Sequence, residues 1–135
     1  MVTGIDHIGI FVRDLDASLR FYTQTLGLAA TPIESRSEPP IRMAYVQAGS
    51  VRLELIEASD PAQTMIRYLP RQEPGIYHVG LRVDDVDADF AALQQRGVAT
   101  IDTVREGDAM RVAFLHPDAA GGVLIELVTR KDEHA

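Results

Sequence analysis

Two histidines and two glutamates stand at matched positions in this sequence and offer the donor atoms of a metal site. His7 lies in the segment IDHIGI, and His78 lies in the similar segment IYHVGL, 71 residues later (78 − 7). Glu54 and Glu126 lie in the similar segments VRLEL and VLIEL, 72 residues apart (126 − 54). Imidazole nitrogens and carboxylate oxygens together suit a divalent ion such as zinc, nickel, cobalt, manganese or Fe(II). The pattern predicts one metal ion bound by these four residues.

The alternation of side chains along a β-strand explains how the four residues reach one surface. His7 shares a strand face with Gly9, and His78 shares one with Gly80, while the opposite faces are apolar. Each glutamate has apolar neighbours that point the other way, and a buried carboxylate is costly unless it is paired or coordinated. Taken singly, such a histidine is more typical of a hydrogen-bonded structural residue and such a glutamate of a solvated one. Their matched recurrence favours metal ligation.

The same repeat defines the elements that position these residues. An acidic turn follows each histidine strand and leads into a predicted helix that ends at a glycine, Gly27 or Gly97. Short strands punctuated by Gly, Pro and Asp follow each helix. The pattern predicts a single domain over residues 1–135 made of two βαβββ repeats. Its predicted parts are repeat one at about 4–58 with a helix near 16–26, a connector at 59–74 with a helix at 62–69, and repeat two at about 75–130 with a helix near 87–96.

Composition narrows the class of protein. The formal net charge of −7 argues against a nucleic-acid partner, because a protein that binds nucleic acid presents a basic face to the phosphates. No apolar run approaches the roughly 20 residues that cross a bilayer, so no membrane association is expected. The chain has no cysteine, which excludes thiol catalysis and cysteine-ligated metals. A chain without cysteine suits a reducing compartment, and a cytoplasmic location is expected.

Several other polar and aromatic residues are weaker candidates. Arg82 shares a strand face with His78, where it would either bind an anion or form a salt bridge. His116 precedes a proline at a strand end, where contact with substrate and shaping of the loop are both open. His134 lies close to the C-terminus and is expected to be solvated. Three aromatic residues are expected in the core rather than in the site: Phe21, Tyr22 and Tyr45.

Four segments resemble the glyoxalase/bleomycin-resistance/dioxygenase superfamily, also called the vicinal oxygen chelate superfamily, and within it the methylmalonyl-CoA epimerases. These segments are residues 5–10, 21–28, 77–85 and 112–127, and the last is the most like the epimerases. The resemblance implies an α+β fold in which two βαβββ repeats form a cupped, partly open mixed β-sheet barrel with helices outside. It also implies a homodimer with one site in each subunit.

The resemblance further implies an isomerase that moves the C2 proton of a 2-methyl acyl-CoA thioester such as methylmalonyl-CoA. One divalent ion (cobalt, zinc, manganese or nickel) would stabilise the enolate, with Glu126 and Glu54 as the catalytic acid–base residues. Some epimerases carry glutamine where Glu54 stands. Two positions depart from the family pattern. Tyr77 replaces the first member of a His-His pair, and Met43 stands near where some members place a second catalytic glutamate.

Other classes of protein compete with this interpretation. A glyoxalase I-like lyase would use the same ligands and proton transfer on a glutathione hemithioacetal. A metal-free small-molecule-binding protein that confers resistance would not need four ligands, so the complete set argues against it. A ring-cleaving dioxygenase would need two histidines and one carboxylate with open positions for Fe(II), which the fourth ligand disfavours.

Overall fold

The computed structural model describes residues 1–107 and 109–131, so His134 lies outside the described residues. Within these ranges the chain forms nine strands and two α-helices, and none of the helices there is long and apolar enough to cross a membrane. The strands are β1 Val2–Phe11, β2 Ala29–Ala30, β3 Glu34–Ser37, β4 Pro40–Ala48, β5 Val51–Ala58, β6 Gly75–Val83, β7 Thr100–Glu106, β8 Met110–Leu115 and β9 Leu124–Arg130. The helices are α1 Leu15–Arg20 and α2 Val86–Gln95.

Residues 7–77 form one compact unit, and residues 1–6 form a second one with the segment that begins at His78. In the first unit β1 runs parallel to β5, β5 pairs antiparallel with β4, and β4 also carries β2 and β3. The side chain of Asp14 accepts a hydrogen bond from the Ala17 N–H at 3.0 Å, which caps the first turn of α1. The core beneath this helix is built from Val12, Leu15, Val46 and Leu55.

The second unit repeats this arrangement. Strand β6 runs parallel to β9, β9 pairs antiparallel with β8, and β8 pairs antiparallel with β7. Asp85 caps α2 by accepting a hydrogen bond from the Ala88 N–H at 3.1 Å. Its core is built from Val83, Val86, Phe90, Ala113 and Leu127. The two units confirm the predicted α+β class with mixed strand pairing and the predicted repeat.

The repeats differ in the strand that follows the helix. In the second repeat this is one strand, β7, with a register shift against β8 between Ile101 and Arg105. In the first repeat the corresponding stretch is divided into β2 and β3, and both pair with β4. In both halves an irregularity interrupts the pairing of the strand that follows the helix. The first half is therefore a βαβββ unit whose second strand is divided into two pieces.

The helix ends follow the sequence closely. Helix α1 continues as a π-helical turn, Phe21–Thr25, in which the Leu26 N–H donates to the Phe21 carbonyl at 3.1 Å. The helix predicted near residues 16–26 therefore extends over residues 15–25, and the one predicted near 87–96 is α2. Gly27 and Gly97 have φ angles of 73° and 81°, the left-handed conformation that glycine adopts at a helix C-terminus.

The prediction of a single helix at residues 62–69 in the connector is wrong. Two short 3₁₀ turns occupy this region, Pro61–Gln63 and Met65–Tyr68. Thr64 separates them in an extended conformation, and its hydroxyl accepts the Ile66 N–H at 3.1 Å. The side chain of Thr64 thus competes with helical backbone pairing and starts a new turn. Ile66 is 1% exposed and anchors the connector.

Candidate metal centre

The first histidine–glutamate pair lies on the parallel strands β1 and β5. The Nε2 atom of His7 is 3.8 Å from the Oε2 atom of Glu54, and both residues are buried. Gly9 lies directly beside Glu54 in the register of the two strands, so no side chain on β1 occupies that space. The separation of 3.8 Å is too long for a hydrogen bond.

The second pair has the same construction on β6 and β9. The Nε2 atom of His78 is 3.0 Å from the Oε2 atom of Glu126, and Gly80 lies beside Glu126 in the register. His78 is 2% exposed and Glu126 is 5% exposed. The structure therefore brings each predicted histidine together with the predicted glutamate of its own half.

The donor distances can be compared with those expected for two ligands of one ion. Two N or O ligands bound at ~2.0–2.2 Å lie roughly 3–3.5 Å apart. The separation of 3.0 Å in the second pair lies within this range, and that of 3.8 Å in the first pair lies above it. In both pairs the Nε2 atom of the histidine faces the carboxylate. Buried carboxylates held among apolar strands are stabilised by such a partner. The donor set of each half thus fits half of a divalent metal site.

An aromatic ring packs against each histidine, and the sequence prediction missed this role. Tyr45 lies opposite Glu54 in the β4–β5 ladder, and its ring meets that of His7 edge to face at 6.4 Å. Phe114 lies opposite Glu126 in the β8–β9 ladder and meets His78 edge to face at 6.5 Å. The segments MAYV and VAFL, which contain the two rings, are similar in sequence and carried the signal.

Arg52 is a further neighbour of the first pair. It lies beside His7 in the β1–β5 register, and its guanidinium carbon is 4.1 Å from the centre of the Tyr45 ring. At this distance a cation is attracted to the face of the ring. The corresponding neighbour of His78 in the second half is Leu124. The first pair therefore has a fixed positive charge close to it, where the second has an aliphatic side chain.

Arg82 forms a salt bridge, which confirms one of the two roles left open for it. Its guanidinium donates to Asp6 Oδ1 at 2.9 Å. Arg130 donates to both oxygens of the same carboxylate, each at 2.7 Å. Asp6 is 1% exposed, and two guanidinium groups compensate its buried charge. The sequence signal for Asp6 was its difference from Tyr77: each residue directly precedes one of the two histidines, but only Asp6 is acidic.

The remaining weaker candidates have structural contacts. His116 accepts the Asp118 N–H at its Nδ1 atom at 3.1 Å and so caps a 3₁₀ turn, which supports the role in loop shaping. Tyr22 packs against the first core as predicted. Phe21 is 51% exposed, so its assignment to the core is wrong. Its ring contacts that of Tyr22 edge to face, with 5.4 Å between the ring centres.

On the surface, equivalent arginines of the two halves link a strand to a helix and shift pKa values there. Arg42 is 3.2 Å from Asp16, and Arg111 is 2.7 Å from Asp87. The hydrogen bonds from Arg111 lower the pKa of Asp87. The pKa of Glu106 is lowered most by a hydrogen bond from Lys131 and next by one from Arg111. In the first half, the pKa of Arg42 is raised most by its hydrogen bond to Glu57 and next by its hydrogen bond to Asp16.

Comparisons with known proteins agree with this architecture. Residues 6–114 match the family model described as the glyoxalase/bleomycin resistance protein/dioxygenase superfamily. The uncharacterized protein YqjC of Bacillus subtilis strain 168 is 35% identical over 133 residues, which cover 96% of this chain and 95% of that protein.

Two solved structures are also similar. The crystal structure of methylmalonyl-CoA epimerase from Mycobacterium tuberculosis has a TM-score of 0.83 and 36% identity, covering 99% of this chain and 93% of that one. A variant of the Streptomyces coelicolor methylmalonyl-CoA epimerase in complex with 2-nitronate-propionyl-CoA has a TM-score of 0.84 and 35% identity, covering 97% and 99%. These relatives are epimerases and support an epimerase-like enzyme of the isomerase class. The chain belongs to the glyoxalase/bleomycin resistance protein/dioxygenase superfamily.

Proposed function

We propose that this protein is a metal-dependent epimerase that moves the C2 proton of a 2-methyl acyl-CoA thioester such as methylmalonyl-CoA. The observation that carries the proposal is the matched pair of buried His–Glu sets, 3.8 Å and 3.0 Å between donor atoms. Similar proteins named as methylmalonyl-CoA epimerases, one of them in complex with an acyl-CoA analogue, support the choice of substrate.

In this proposal one divalent ion (cobalt, zinc, manganese or nickel) is held by His7, Glu54, His78 and Glu126. The first three are buried residues with donor atoms of the kinds that could hold such an ion. When bound, the ion supplies Lewis acidity that polarises the thioester carbonyl. The mixed nitrogen and oxygen set does not select one of these metals, since affinity rises along the series for any such site.

The protein's own groups move the proton. Glu126 accepts the C2 proton from the thioester, and Glu54 is the second acid–base residue, which returns a proton to the opposite face of C2. Either carboxylate must lie within hydrogen-bond reach of C2 to do this. Met43 is 2% exposed and has no titratable group, so it takes no part in proton transfer. Burial of both pairs excludes water, which protects the carbanionic intermediate from uncontrolled protonation.

Solvent exchange distinguishes the epimerase from the lyase. Incubation of the metal-loaded protein with methylmalonyl-CoA in D₂O should incorporate deuterium at C2, which mass spectrometry detects. A glyoxalase I-like enzyme would instead convert the hemithioacetal of glutathione and methylglyoxal, and the change in absorbance would measure this conversion. Turnover of the hemithioacetal without C2 exchange would contradict the proposal, and so would a metal-free protein that exchanges C2 at full rate.

We also propose a homodimer with one site per subunit, on the basis of the family relationship. Light scattering at micromolar concentration should give about twice the mass of the chain, which is 14.8 kDa. A monomeric mass under these conditions would contradict this part of the proposal and leave the chemistry of each site unaffected.

A further inference from the structure

Arg52 shares a strand face with one of the two proposed catalytic carboxylates. It lies two residues before Glu54 on β5, and alternation along a strand places their side chains on the same face. It is also the register neighbour of His7 on β1. The guanidinium carbon lies 4.1 Å from the centre of the Tyr45 ring, and Tyr45 is in turn opposite Glu54 on β4. Arg52 is therefore part of a compact group with His7, Tyr45 and Glu54.

Stacking on the ring makes this arginine suitable for a planar anion. A guanidinium group held face-on against an aromatic ring keeps its N–H donors in one plane, directed sideways. Donors arranged in this way match the two oxygens of a carboxylate, and such charge-assisted pairs are stronger than neutral hydrogen bonds. Since the ring already fixes the group, little side-chain entropy is lost when the anion binds.

The distances suit a malonyl-type acyl group. Positions two residues apart on a strand are roughly 6.6 Å apart, which a long arginine side chain can span. In a malonyl-type thioester the free carboxylate is bonded directly to C2. A substrate whose C2 faces Glu54 would therefore have its carboxylate within reach of Arg52. The corresponding residue in the second half is Leu124, which offers no charge.

We propose that Arg52 is a specificity-determining residue that binds the free carboxylate of the acyl group and selects dicarboxylic over monocarboxylic acyl-CoA thioesters. The inference rests on the proposed function for the location of C2, but its prediction concerns binding and can be measured without turnover.

The test compares two ligands that differ at one substituent of C2. Methylmalonyl-CoA carries a methyl group and a carboxylate, whereas isobutyryl-CoA carries two methyl groups. Calorimetric titration of the metal-loaded wild-type protein should give tighter binding of methylmalonyl-CoA. Arg52→Leu introduces the residue type that stands at the equivalent position in the second half. It should weaken methylmalonyl-CoA binding by about 10–100-fold and change isobutyryl-CoA binding by less than about 3-fold.

Two further variants keep the result interpretable. Arg52→Lys retains the charge but not the planar fork, so it should recover only part of the selectivity. Arg36→Leu removes one positive charge from an exposed site on β3 and should leave both affinities unchanged. Circular dichroism of each variant verifies the fold, and if Arg52→Leu does not fold, Arg52→Lys carries the test.

Equal affinity of the wild-type protein for both ligands would overturn the inference, as would an equal loss for both ligands in Arg52→Leu. Selective binding without C2 deuterium exchange would refute the proposed epimerase and leave the role of Arg52 standing. Exchange in the wild-type protein together with unchanged selectivity in Arg52→Leu would refute the role of Arg52 alone.

Discussion

The two halves of the chain carry the same histidine–glutamate pair but surround it differently. In the first half the donor atoms are 3.8 Å apart, and the neighbours are Tyr45 and the charged Arg52. In the second half the donor atoms are 3.0 Å apart, and the corresponding neighbours are Phe114 and Leu124. The repeat has thus kept the histidine and glutamate and their strand positions while the adjacent side chains diverged.

This divergence gives equivalent residues unequal chemical surroundings. Arg52 places a charged hydrogen-bond donor beside the first pair, whereas Leu124 places an aliphatic side chain beside the second. A duplicated fold can therefore supply a symmetric set of ligands and still divide the work between its halves. The unit that contains the second pair also holds the charged cluster of Asp6, Arg82 and Arg130. The residue that matches Asp6 in the second repeat is Tyr77, which carries no acidic group.

The largest difference between the halves is expected in catalysis. Glu126→Gln should lower C2 deuterium exchange by about 10²–10⁴-fold at saturating Co²⁺ or Zn²⁺, because an amide cannot accept the proton. The amide oxygen can still coordinate weakly, and added metal offsets a modest loss of affinity. Glu54→Gln should keep its metal and a measurable part of its activity, since some epimerases carry glutamine there. Near wild-type exchange in Glu126→Gln would remove the base assignment.

The next largest effect is expected on the free energy of unfolding, through the Asp6 cluster in the unit that contains the second pair. Asp6→Ala leaves two guanidinium groups without the carboxylate that they share, and should lower the free energy of unfolding by about 3 kcal/mol. Asp89→Ala is a matched control, because Asp89 forms an ion pair with the exposed N-terminal amine in the same unit. Removing this surface pair should change the free energy of unfolding by less than about 1 kcal/mol. Urea denaturation measures both, and equal losses would contradict the role of the cluster.

The smallest effect concerns the surface ion pairs that link strand to helix. Because the folded-state pKa values of Asp87 and Glu106 are lowered, their contribution is complete above pH ~4–4.5 and is lost as pH falls through the folded values. Arg111→Gln should lower Tm at pH 7 by less than about 4 °C. The difference from wild type should shrink as pH falls below ~4. A constant difference down to pH 2.5 would show that Arg111 acts through packing alone.

The repeat made most of the fold predictable from sequence. Acidic caps and terminal glycines indicate where the two helices that follow the histidine strands begin and end, and these positions agree with the structure to within a residue or two. The connector helix was predicted wrongly because a single side chain, Thr64, captures the backbone and interrupts the turn. Phe21 is the first residue of the π-helical turn and is exposed, and helical periodicity does not reveal such a turn.

The grouping of each histidine with the glutamate of its own half was predictable from sequence, but the surroundings of each pair were not. Each histidine was assigned to the right strand face because alternation is a local property. The rings of Tyr45 and Phe114 and the guanidinium of Arg52 depend on the register between strands, which no single segment encodes. The pairing of Asp6 with Arg130 joins residues at opposite ends of the chain, 124 positions apart. Contacts of this kind become visible only when the strands are assembled.

The central claim is that both histidine–glutamate pairs hold the same divalent ion, and metal stoichiometry tests it most directly. The protein is stripped with a chelator, reloaded with Co²⁺, desalted and analysed by elemental mass spectrometry, beside His7→Ala and His78→Ala. One ion per chain is expected in the wild-type protein, and each variant alone should lose it if, as we propose, both pairs bind the same ion. Two ions per wild-type chain, or full metal retention in either variant, would contradict the account.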